Sequence, residues 1–192
     1  MNHHQVISID TLSSPKKSRL TIKKTDWHGF FIGIANTVAS RSTCKRRSVG
    51  AVAVKLRRII ATGFNGAPTG FAHCTDIGCL REELKVPSGT RHELCRAVHA
   101  EQNLITQAAR FGSELFGADV YCTHKPCAIC LKMLINAGVY HVYFQHDYPD
   151  ELTDQLELEY ARTHHGNSFL TQIILQDEES PVEAGILPER GA

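Results

Sequence analysis

Four residues in the middle of the chain carry its clearest chemistry: His99, Glu101, Cys127 and Cys130. One imidazole and two thiolates are common ligands of Zn²⁺, which binds them in tetrahedral geometry. Three protein ligands leave the fourth position open, which is typical of catalytic rather than structural zinc sites. A water in that position has its pKa lowered to about 7 and becomes a nucleophile near neutral pH. The residue types therefore predict a hydrolytic zinc centre.

Glu101 lies two residues after His99, a spacing that favours a proton shuttle beside the metal over a further metal ligand. A helix is predicted to begin at each pair, His99 with Glu101 and Cys127 with Cys130. Pro126 suits a first helical turn because it lacks an N–H. The positive ends of the helix dipoles would favour Cys127 and Cys130 as thiolates. The alternative is that His99 is a buried core histidine and the cysteines are small buried residues or half of a structural zinc knuckle. The combination of both halves favours the catalytic interpretation.

Hydrophobic periodicity predicts the elements that position these residues. The predicted helices span residues 27–43, 97–111, 127–137 and 150–164. The predicted strands span residues 49–54, 58–63, 118–123, 139–144 and 169–175. The first two strands form a hairpin, and the later alternation of strands with helices favours parallel pairing through right-handed crossovers. The predicted fold class is α/β, a three-layer α/β/α domain with a mixed five-stranded sheet.

Three segments stand outside this periodic pattern. Residues 1–24 are polar and mostly aperiodic, and residues 176–192 are acidic with Gly and Pro. Both are expected to be mobile tails around a domain at residues 25–175. Residues 66–95 form a Cys-rich insert, and a loop of that length in a compact domain is usually functional or fastened by something.

Composition narrows the class of protein. A chain of 192 residues that is 42% hydrophobic is the size of one globular domain. Its net charge of +1 gives no basic field for a nucleic acid. No signal-peptide core begins the chain, and no stretch approaches the roughly 20 apolar residues that span a membrane. These absences predict a cytoplasmic protein. In such a reduced compartment seven cysteines, an odd number, are expected to be metal ligands or buried side chains rather than a fully paired set of disulfides.

The pairing of His-x-Glu with Pro-Cys-x-x-Cys is the signature of zinc deaminases, and residues 27–175 resemble the deoxycytidylate deaminases of the cytidine deaminase superfamily. The stretches that carry the resemblance are RSTC at 41–44, VGAV at 49–52, GFNGAPTG at 63–70, CRAVHAEQN at 95–103, PCAIC at 126–130 and INAGV at 135–139. The resemblance implies zinc-dependent hydrolysis of dCMP to dUMP and ammonia, which supplies thymidylate synthesis. It also implies that Glu101 takes a proton from the zinc-bound water and passes protons to N3 and to the leaving amine.

The resemblance further places Asn65, Ala100, Thr123 and Tyr148 beside the substrate. Asn65, in the GFNG stretch, would hydrogen-bond the deoxyribose hydroxyl. The alternative for that stretch is an ordinary strand-to-loop turn, because Gly and Asn are common turn residues. For Tyr148 the alternative is packing at the exit of a strand.

Cysteines in and around the insert suggest a second metal ion. By the resemblance, a structural zinc fastens the insert, with ligands drawn from Cys44, Cys74, His92 and Cys95, while Cys79 is the least clear candidate. Such a zinc would supply folding free energy that a loop poor in apolar residues lacks.

A basic cluster precedes the first predicted strand and consists of Arg41, Lys45, Arg46 and Arg47. It is either a solvated face or a site that captures the substrate phosphate or a regulatory nucleotide. The resemblance implies a homo-oligomer, with a hexamer favoured, that is activated by dCTP and inhibited by dTTP.

Two other functions stay open at this point. Transfer-RNA adenosine deaminases share both halves of the motif, so a nucleic-acid deaminase acting on adenosine or cytidine is the rival among enzymes. The insert at residues 66–95 favours the deoxycytidylate branch. A zinc-stabilised binding module without catalysis is the rival outside enzymes, and Glu101, which metal binding does not need, disfavours it.

Overall fold

One six-stranded mixed sheet organises the protein in the computed structural model, which describes residues 18–23 and 25–176. The strands are β1 (Arg19–Ile22), β2 (Gly50–Lys55), β3 (Arg58–Phe64), β4 (Asp119–His124), β5 (His141–His146) and β6 (Leu170–Leu175). Their order across the sheet is β1-β6-β5-β4-β2-β3. β2 pairs antiparallel with β3 and β4, whereas β4, β5, β6 and β1 run parallel. The predicted hairpin and the mixed sheet are confirmed.

The predicted number of strands is wrong by one. The sixth strand is β1, which lies among the residues assigned to the N-terminal tail. Leu20 and Ile22 give it two apolar positions, and so short an alternation is not recognisable in the sequence. Its parallel ladder with β6, from Arg19 opposite Gln172 onward, stabilises it as a strand. Residues 1–17, residue 24 and residues 177–192 lie outside the described residues, so the mobility of the tails stays a prediction.

Helices cover both faces of this sheet. They are α1 (Trp27–Ala39), α2 (Cys74–Ile77), α3 (Leu80–Glu83), α4 (Ala100–Phe111), α5 (Ala128–Asn136) and α6 (Glu151–Thr163). Side chains on a strand alternate between the two faces, and in β2 both sets are buried. Val52 and Val54 belong to a core with Phe31 of α1, whereas Ala51 belongs to a core with Leu104 of α4. The three-layer α/β/α prediction is therefore confirmed.

Two glycines let helices lie close against the sheet. A Cβ on Gly50 would stand 2.1 Å from the carbonyl oxygen of Ala35 in α1. A Cβ on Gly63 would stand 2.1 Å from the carbonyl oxygen of Ala100 in α4. Only glycine allows such close approach of two backbones. The second contact matters for function, because α4 begins directly after His99.

Most predicted helices and strands match the structure, with differences at their ends. The helix predicted at 97–111 begins at Ala100, since Val98 still forms a β-bridge with Gly66. The first helix ends at Ala39 rather than at residue 43. The insert contains the one-turn helices α2 and α3 and a 3₁₀ turn at His92–Leu94. Within the described residues, no helix has the length and apolar character to cross a membrane.

Candidate active site

Three metal-donor atoms meet where two helices begin. His99 is the N-cap of α4, Cys127 is the N-cap of α5, and Cys130 lies in the first turn of α5. Nδ1 of His99 lies 3.4 Å from Sγ of Cys127 and 3.5 Å from Sγ of Cys130. The three donor atoms lie within 4.8 Å of one another, and they are the only such group of three found among the described residues.

These separations match the size of a zinc ion. Zn–S distances of about 2.3 Å and Zn–N distances of about 2.0–2.1 Å at a tetrahedral angle place nitrogen and sulfur about 3.5 Å apart. The observed distances are 3.4 and 3.5 Å. The nitrogen and sulfur donor set and its spacing therefore fit Zn²⁺, as predicted.

Local contacts fix the start of α4. The side-chain Oε1 of Gln102 accepts the backbone N–H of His99 at 3.0 Å, which closes a capping box. The preceding residue is held by two backbone hydrogen bonds between Val98 and Gly66. Nδ2 of Asn103 donates to the carbonyl oxygen of Phe64 at 2.8 Å. The imidazole is thus presented by a helix that is fastened to the end of β3.

One carboxylate holds the start of α5. Asp150 accepts the N–H of Ala128 at 3.1 Å through Oδ2 and the N–H of Thr153 at 3.2 Å through Oδ1. It therefore caps α5 and α6 together, since backbone N–H groups at helix N-termini need acceptors. The hydroxyl of Thr153 also donates to the carbonyl oxygen of Pro126 at 3.3 Å. These bonds tie the two cysteine ligands to α6.

The electrostatics of the donors show which protons a cation would displace. Hydrogen bonds from Cys130 and His99 lower the pKa of Cys127 to about 4. Burial opposes protonation of His99, but hydrogen bonds to Cys127 and Cys95 and the charge of Glu101 raise its pKa to about 11. The contact with Cys127 and burial raise the pKa of Cys130 well above its ordinary value. Cys127 is therefore the thiolate of the site, whereas His99 and Cys130 carry protons. Binding of a divalent cation would displace both of these protons.

Glu101 lies in the first turn of α4 and is 4% exposed. Burial raises the pKa of its carboxyl group, while the charge of His99 opposes that shift. A carboxyl group with a raised pKa can take up and release a proton closer to neutral pH.

His99, Glu101 and Cys127 line a cleft of about 750 Å³, its open mouth included, which we call the site cleft. Of the four residues expected to contact the substrate, Asn65, Ala100 and Tyr148 line the site cleft. Thr123 lies outside that lining. It is buried, its hydroxyl accepts the N–H of Gly50 at 3.1 Å, and it lies 3.1 Å from Nδ1 of His124.

Asn65 holds the loop that precedes β2. Its Oδ1 accepts from the hydroxyl of Ser42 at 2.6 Å and from the N–H of Val49 at 2.8 Å. Its Nδ2 donates to the carbonyl oxygen of Arg47 at 2.8 Å. The GFNG stretch therefore does form a strand-to-loop turn, which was the alternative to a sugar-binding element. One hydrogen of the Asn65 side-chain amide remains available to a ligand in the site cleft.

The structure divides the basic cluster in two. Arg46 and Arg47 line the site cleft, whereas Arg41 and Lys45 are exposed and lie outside its lining. The lining also contains charged and polar residues that the sequence analysis did not single out: Arg81, Ser88, His124 and Lys125. No local motif marks these four, because they reach the site cleft only through tertiary packing.

The cysteines of the insert come near one another without completing a second group of three donors in the described part of the chain. Burial and then the neighbouring Cys44, Cys79 and Cys95 raise the pKa of Cys74. His92 lies beside Tyr148, with its Nε2 3.3 Å from the hydroxyl. A second zinc therefore stays a prediction.

The fold and the donor set define a class of protein: a three-layer α/β domain in which three potential zinc ligands meet at the N-termini of two helices. The chain belongs to the cytidine and deoxycytidylate deaminase family, because the model of that family's zinc-binding region matches residues 25–146.

Curated relatives agree with this family. The chain is 40% identical over 127 residues to the ComE operon protein 2 of Bacillus subtilis (strain 168), a match that covers 66% of this chain and 63% of that protein. It is 38% identical over 128 residues to the deoxycytidylate deaminase of Mycobacterium phage D29, which covers 64% of this chain and 97% of the phage protein. The match thus spans less than two thirds of the Bacillus protein but nearly all of the phage protein.

Solved structures agree as well. The dCMP deaminase from cyanophage S-TIM5 in its apo form has a TM-score of 0.56 and 28% identity, over 76% of this chain and 95% of that one. The structure of the cyanophage enzyme in complex with dCMP and dUMP has a TM-score of 0.54 and 28% identity, over 77% of this chain and 94% of that one.

Proposed function

We propose that this chain is a hydrolytic deaminase that converts dCMP and water to dUMP and ammonia. The observation that carries the proposal is the buried carboxyl group of Glu101 in the same cleft as His99 and Cys127, two of the three converging zinc ligands. A structural zinc site would have four protein ligands and no use for this carboxyl group. The named activities of the phage D29 and cyanophage relatives support dCMP as the substrate.

His99, Cys127 and Cys130 would hold the zinc, which when bound would supply a Lewis acid that makes water nucleophilic near neutral pH. Glu101 takes one proton as the water oxygen bonds to C4 of cytosine and delivers it to N3. It then carries the second proton of the water to the amino group on C4. The C4–N bond breaks, ammonia leaves, and the ring becomes uracil.

The remaining substrate contacts come from the rim of the site cleft. Asn65 offers its free amide hydrogen to the sugar hydroxyl, and Ala100 lies at the start of α4 beside the ring. Tyr148 closes the cleft from the side of the insert, where its hydroxyl accepts the N–H of Gly89 at 2.7 Å. Thr123 acts behind the cleft, where it supports His124 and the start of β2.

A substrate panel tests the proposal. Purified zinc-loaded protein is offered dCMP, dCTP, deoxycytidine and an RNA hairpin, and ammonia release is measured for each. We expect the highest kcat/KM for dCMP. Preference for the RNA hairpin would replace the proposal with a nucleic-acid deaminase, and the absence of ammonia from every substrate would indicate a binding module.

We also propose a cytoplasmic homo-oligomer, with a hexamer favoured, that dCTP activates and dTTP inhibits. None of the seven cysteines forms a disulfide, which suits a reducing compartment. Large apolar side chains are exposed, including Phe111 at 71% and Phe116 at 69%, and burial between subunits would remove them from water. The test is a dCMP saturation curve with and without each triphosphate, with light scattering for the mass. Saturation curves that neither nucleotide changes would refute the regulatory proposal, and a monomeric mass would refute the proposed oligomer.

A further inference from the structure

A buried lysine lies two residues before the zinc ligand Cys127. The side chain of this residue, Lys125, is 4% exposed, and its Nζ lies 2.5 Å from a carboxylate oxygen of Asp154 and 3.8 Å from one of Asp147. A buried ammonium group is costly unless it is paired and hydrogen-bonded. Neither the zinc chemistry nor the proton transfers described above use this side chain. Its burial therefore needs another explanation.

The loop around Cys127 is fastened to one other segment of the chain. We call residues 125–128 the ligand loop and residues 146–154, which end β5 and begin α6, the clamp segment. Besides the ion pairs, three hydrogen bonds join the two: the N–H of Lys125 donates to the carbonyl oxygen of His146 at 2.9 Å, the hydroxyl of Thr153 donates to that of Pro126 at 3.3 Å, and the N–H of Ala128 donates to Asp150 at 3.1 Å. These three bonds do not involve the Lys125 side chain, so the ligand loop is expected to remain folded without it.

The ion pairs of Lys125 reach two parts of the clamp segment at once. Asp147 lies in the loop after β5, and Asp154 lies in the first turn of α6. One ammonium group in contact with both therefore sets how the ligand loop sits against that loop and that helix. The two carboxylates are 41% and 47% exposed, so water can solvate them when the lysine is absent. Removal of the lysine side chain thus leaves no buried charge unpaired.

The spacing of the zinc ligands depends on this placement. His99 caps α4 and Cys127 caps α5, and 3.4 Å separate Nδ1 of His99 from Sγ of Cys127. A shift of the ligand loop changes that distance directly, because the two ligands belong to different helices. Contacts outside the ligand set that hold such ligands in place typically contribute about 10- to 100-fold to metal affinity. The ion pairs of Lys125 are contacts of this kind.

We propose that Lys125 is a positioning residue for the zinc centre. Through its ion pairs with Asp154 and Asp147 it holds the ligand loop against the clamp segment, and it thereby sets the distance between Cys127 and His99. Lys125 itself contacts neither the metal nor the reacting atoms in this role. The inference rests on the zinc site of the proposed function and is independent of which substrate is deaminated. Zinc affinity, measured without substrate, is therefore the property that depends on the ion pairs.

The test measures the dissociation constant for Zn²⁺ by titrating zinc-loaded protein with a chromophoric chelator. The release step that belongs to this centre is the one that C130S abolishes. K125M keeps most of the side-chain length without the charge and is expected to raise the dissociation constant about 10- to 100-fold. K125R keeps the charge and is expected to lie closer to the wild type. Circular dichroism establishes that each variant is folded at the temperature of the titration.

A double-mutant cycle tests whether the ion pair is the cause. D154N removes the carboxylate partner and is expected to weaken zinc binding, and K125M/D154N is expected to bind zinc no more weakly than K125M, because both changes break the same contact. E151Q is the matched control, since it removes the same charge from the same turn of α6. K55M is the second control and breaks the exposed pair of Lys55 with Glu114 at the far end of β2. Both controls are expected to keep the zinc affinity of the wild type.

Four results would overturn the role of Lys125. An unchanged dissociation constant in K125M would refute it, and if K125M does not fold, an unchanged constant in D154N would do so. Additive losses from K125M and D154N would show that the two side chains act separately. An equal loss in E151Q would trace the effect to the charge at the start of α6. Wild-type zinc affinity with a lower kcat in K125M would assign the lysine directly to catalysis.

Failure of the proposed function gives a different result. A wild type that deaminates none of the panel substrates would refute that function. The expected differences in zinc affinity between K125M, D154N and E151Q would still support the positioning role of Lys125.

Discussion

Gly63→Ala tests whether the close approach of β3 and α4 sets the catalytic geometry. The new Cβ would stand 2.1 Å from the carbonyl oxygen of Ala100 and 2.5 Å from the backbone nitrogen of Leu104. Both are backbone atoms, so no side chain can turn aside to make room. The helix itself has to move away from the sheet, and His99 and Glu101 lie at its first turn.

The expected magnitude follows from these distances. Relief of a 2.1 Å contact to an ordinary separation requires a shift of about 1 Å, and overpacking of this kind costs about 1–3 kcal/mol. For a domain of this size, that cost lowers Tm by about 2–12 °C. Misplacement of catalytic groups by about 1 Å can cost about 10²-fold in rate. Gly63→Ala is therefore expected to lose activity well beyond its loss of folded protein.

The assay measures Tm, bound zinc and kcat with dCMP for Gly63→Ala and two control variants. Gly33→Ala lies in α1 with nothing within 4 Å of the new Cβ, and it should be stabilising by about 0.5–1 kcal/mol. Gly50→Ala makes the same 2.1 Å contact with α1 on the other face, so it should lose stability but less activity. Wild-type Tm and kcat in Gly63→Ala would refute the reasoning. An equal loss of activity in Gly50→Ala would show that displacement of α4 is not the cause.

Three further predictions address chemistry, metal content and pH. Glu101→Gln is expected to keep its zinc and fold but to lose about 10²- to 10⁴-fold in kcat, since it removes the proton carrier; near-normal turnover with intact zinc would contradict the assigned role. Metal analysis is expected to find more than one zinc per chain, and Cys44→Ser to lose the extra zinc while activity persists; one zinc in the wild type would exclude the second site. Burial and then the charge of His28 lower the pKa of His141 to about 4, so the unfolded chain binds this proton at a higher pH than the folded chain. Stability is therefore lost as pH falls from about 6.5 to about 4, and denaturant titrations should show His141→Gln losing about 1–3 kcal/mol less than wild type over that range. If the free energies of unfolding of the two proteins fell in parallel over this pH range, His141 would not be the group responsible.

The parts of the site that the sequence predicted are those that local spacing determines. His99 with Glu101, and Cys127 with Cys130, each lie within one helical turn, so their relative placement follows from the start of a helix. The predicted helix starts were nearly right, and the structure adds that His99 and Cys127 are the N-caps themselves. Strands β4, β5 and β6 were likewise recognisable, because each is a short segment with regularly placed apolar residues between two predicted helices or after the last one.

The parts that the sequence missed depend on distant contacts. Arg81 and Lys125 reach the site cleft through the packing of the insert and of α6, and neither belongs to a motif. Asp150 caps two helices at once because the chain returns past α5, which no local pattern reveals. Cys122 is fully buried on β4, where burial and then the charge of Glu101 raise the pKa of its thiol. Strand β1 depends on its pairing with β6 in the same way.

The mixed sheet explains why metal ligands and arginines from separate segments meet in one cleft. His124 ends β4 at the edge from which the chain continues to Cys127. In a purely parallel sheet, the loop that enters β2 would arrive at the opposite edge. Because β2 is antiparallel to β4, its start is brought to the same edge, with Ala51 opposite Cys122. Arg46 and Arg47 precede that start, so one reversed strand places these two arginines in the same cleft as the zinc ligands His99 and Cys127.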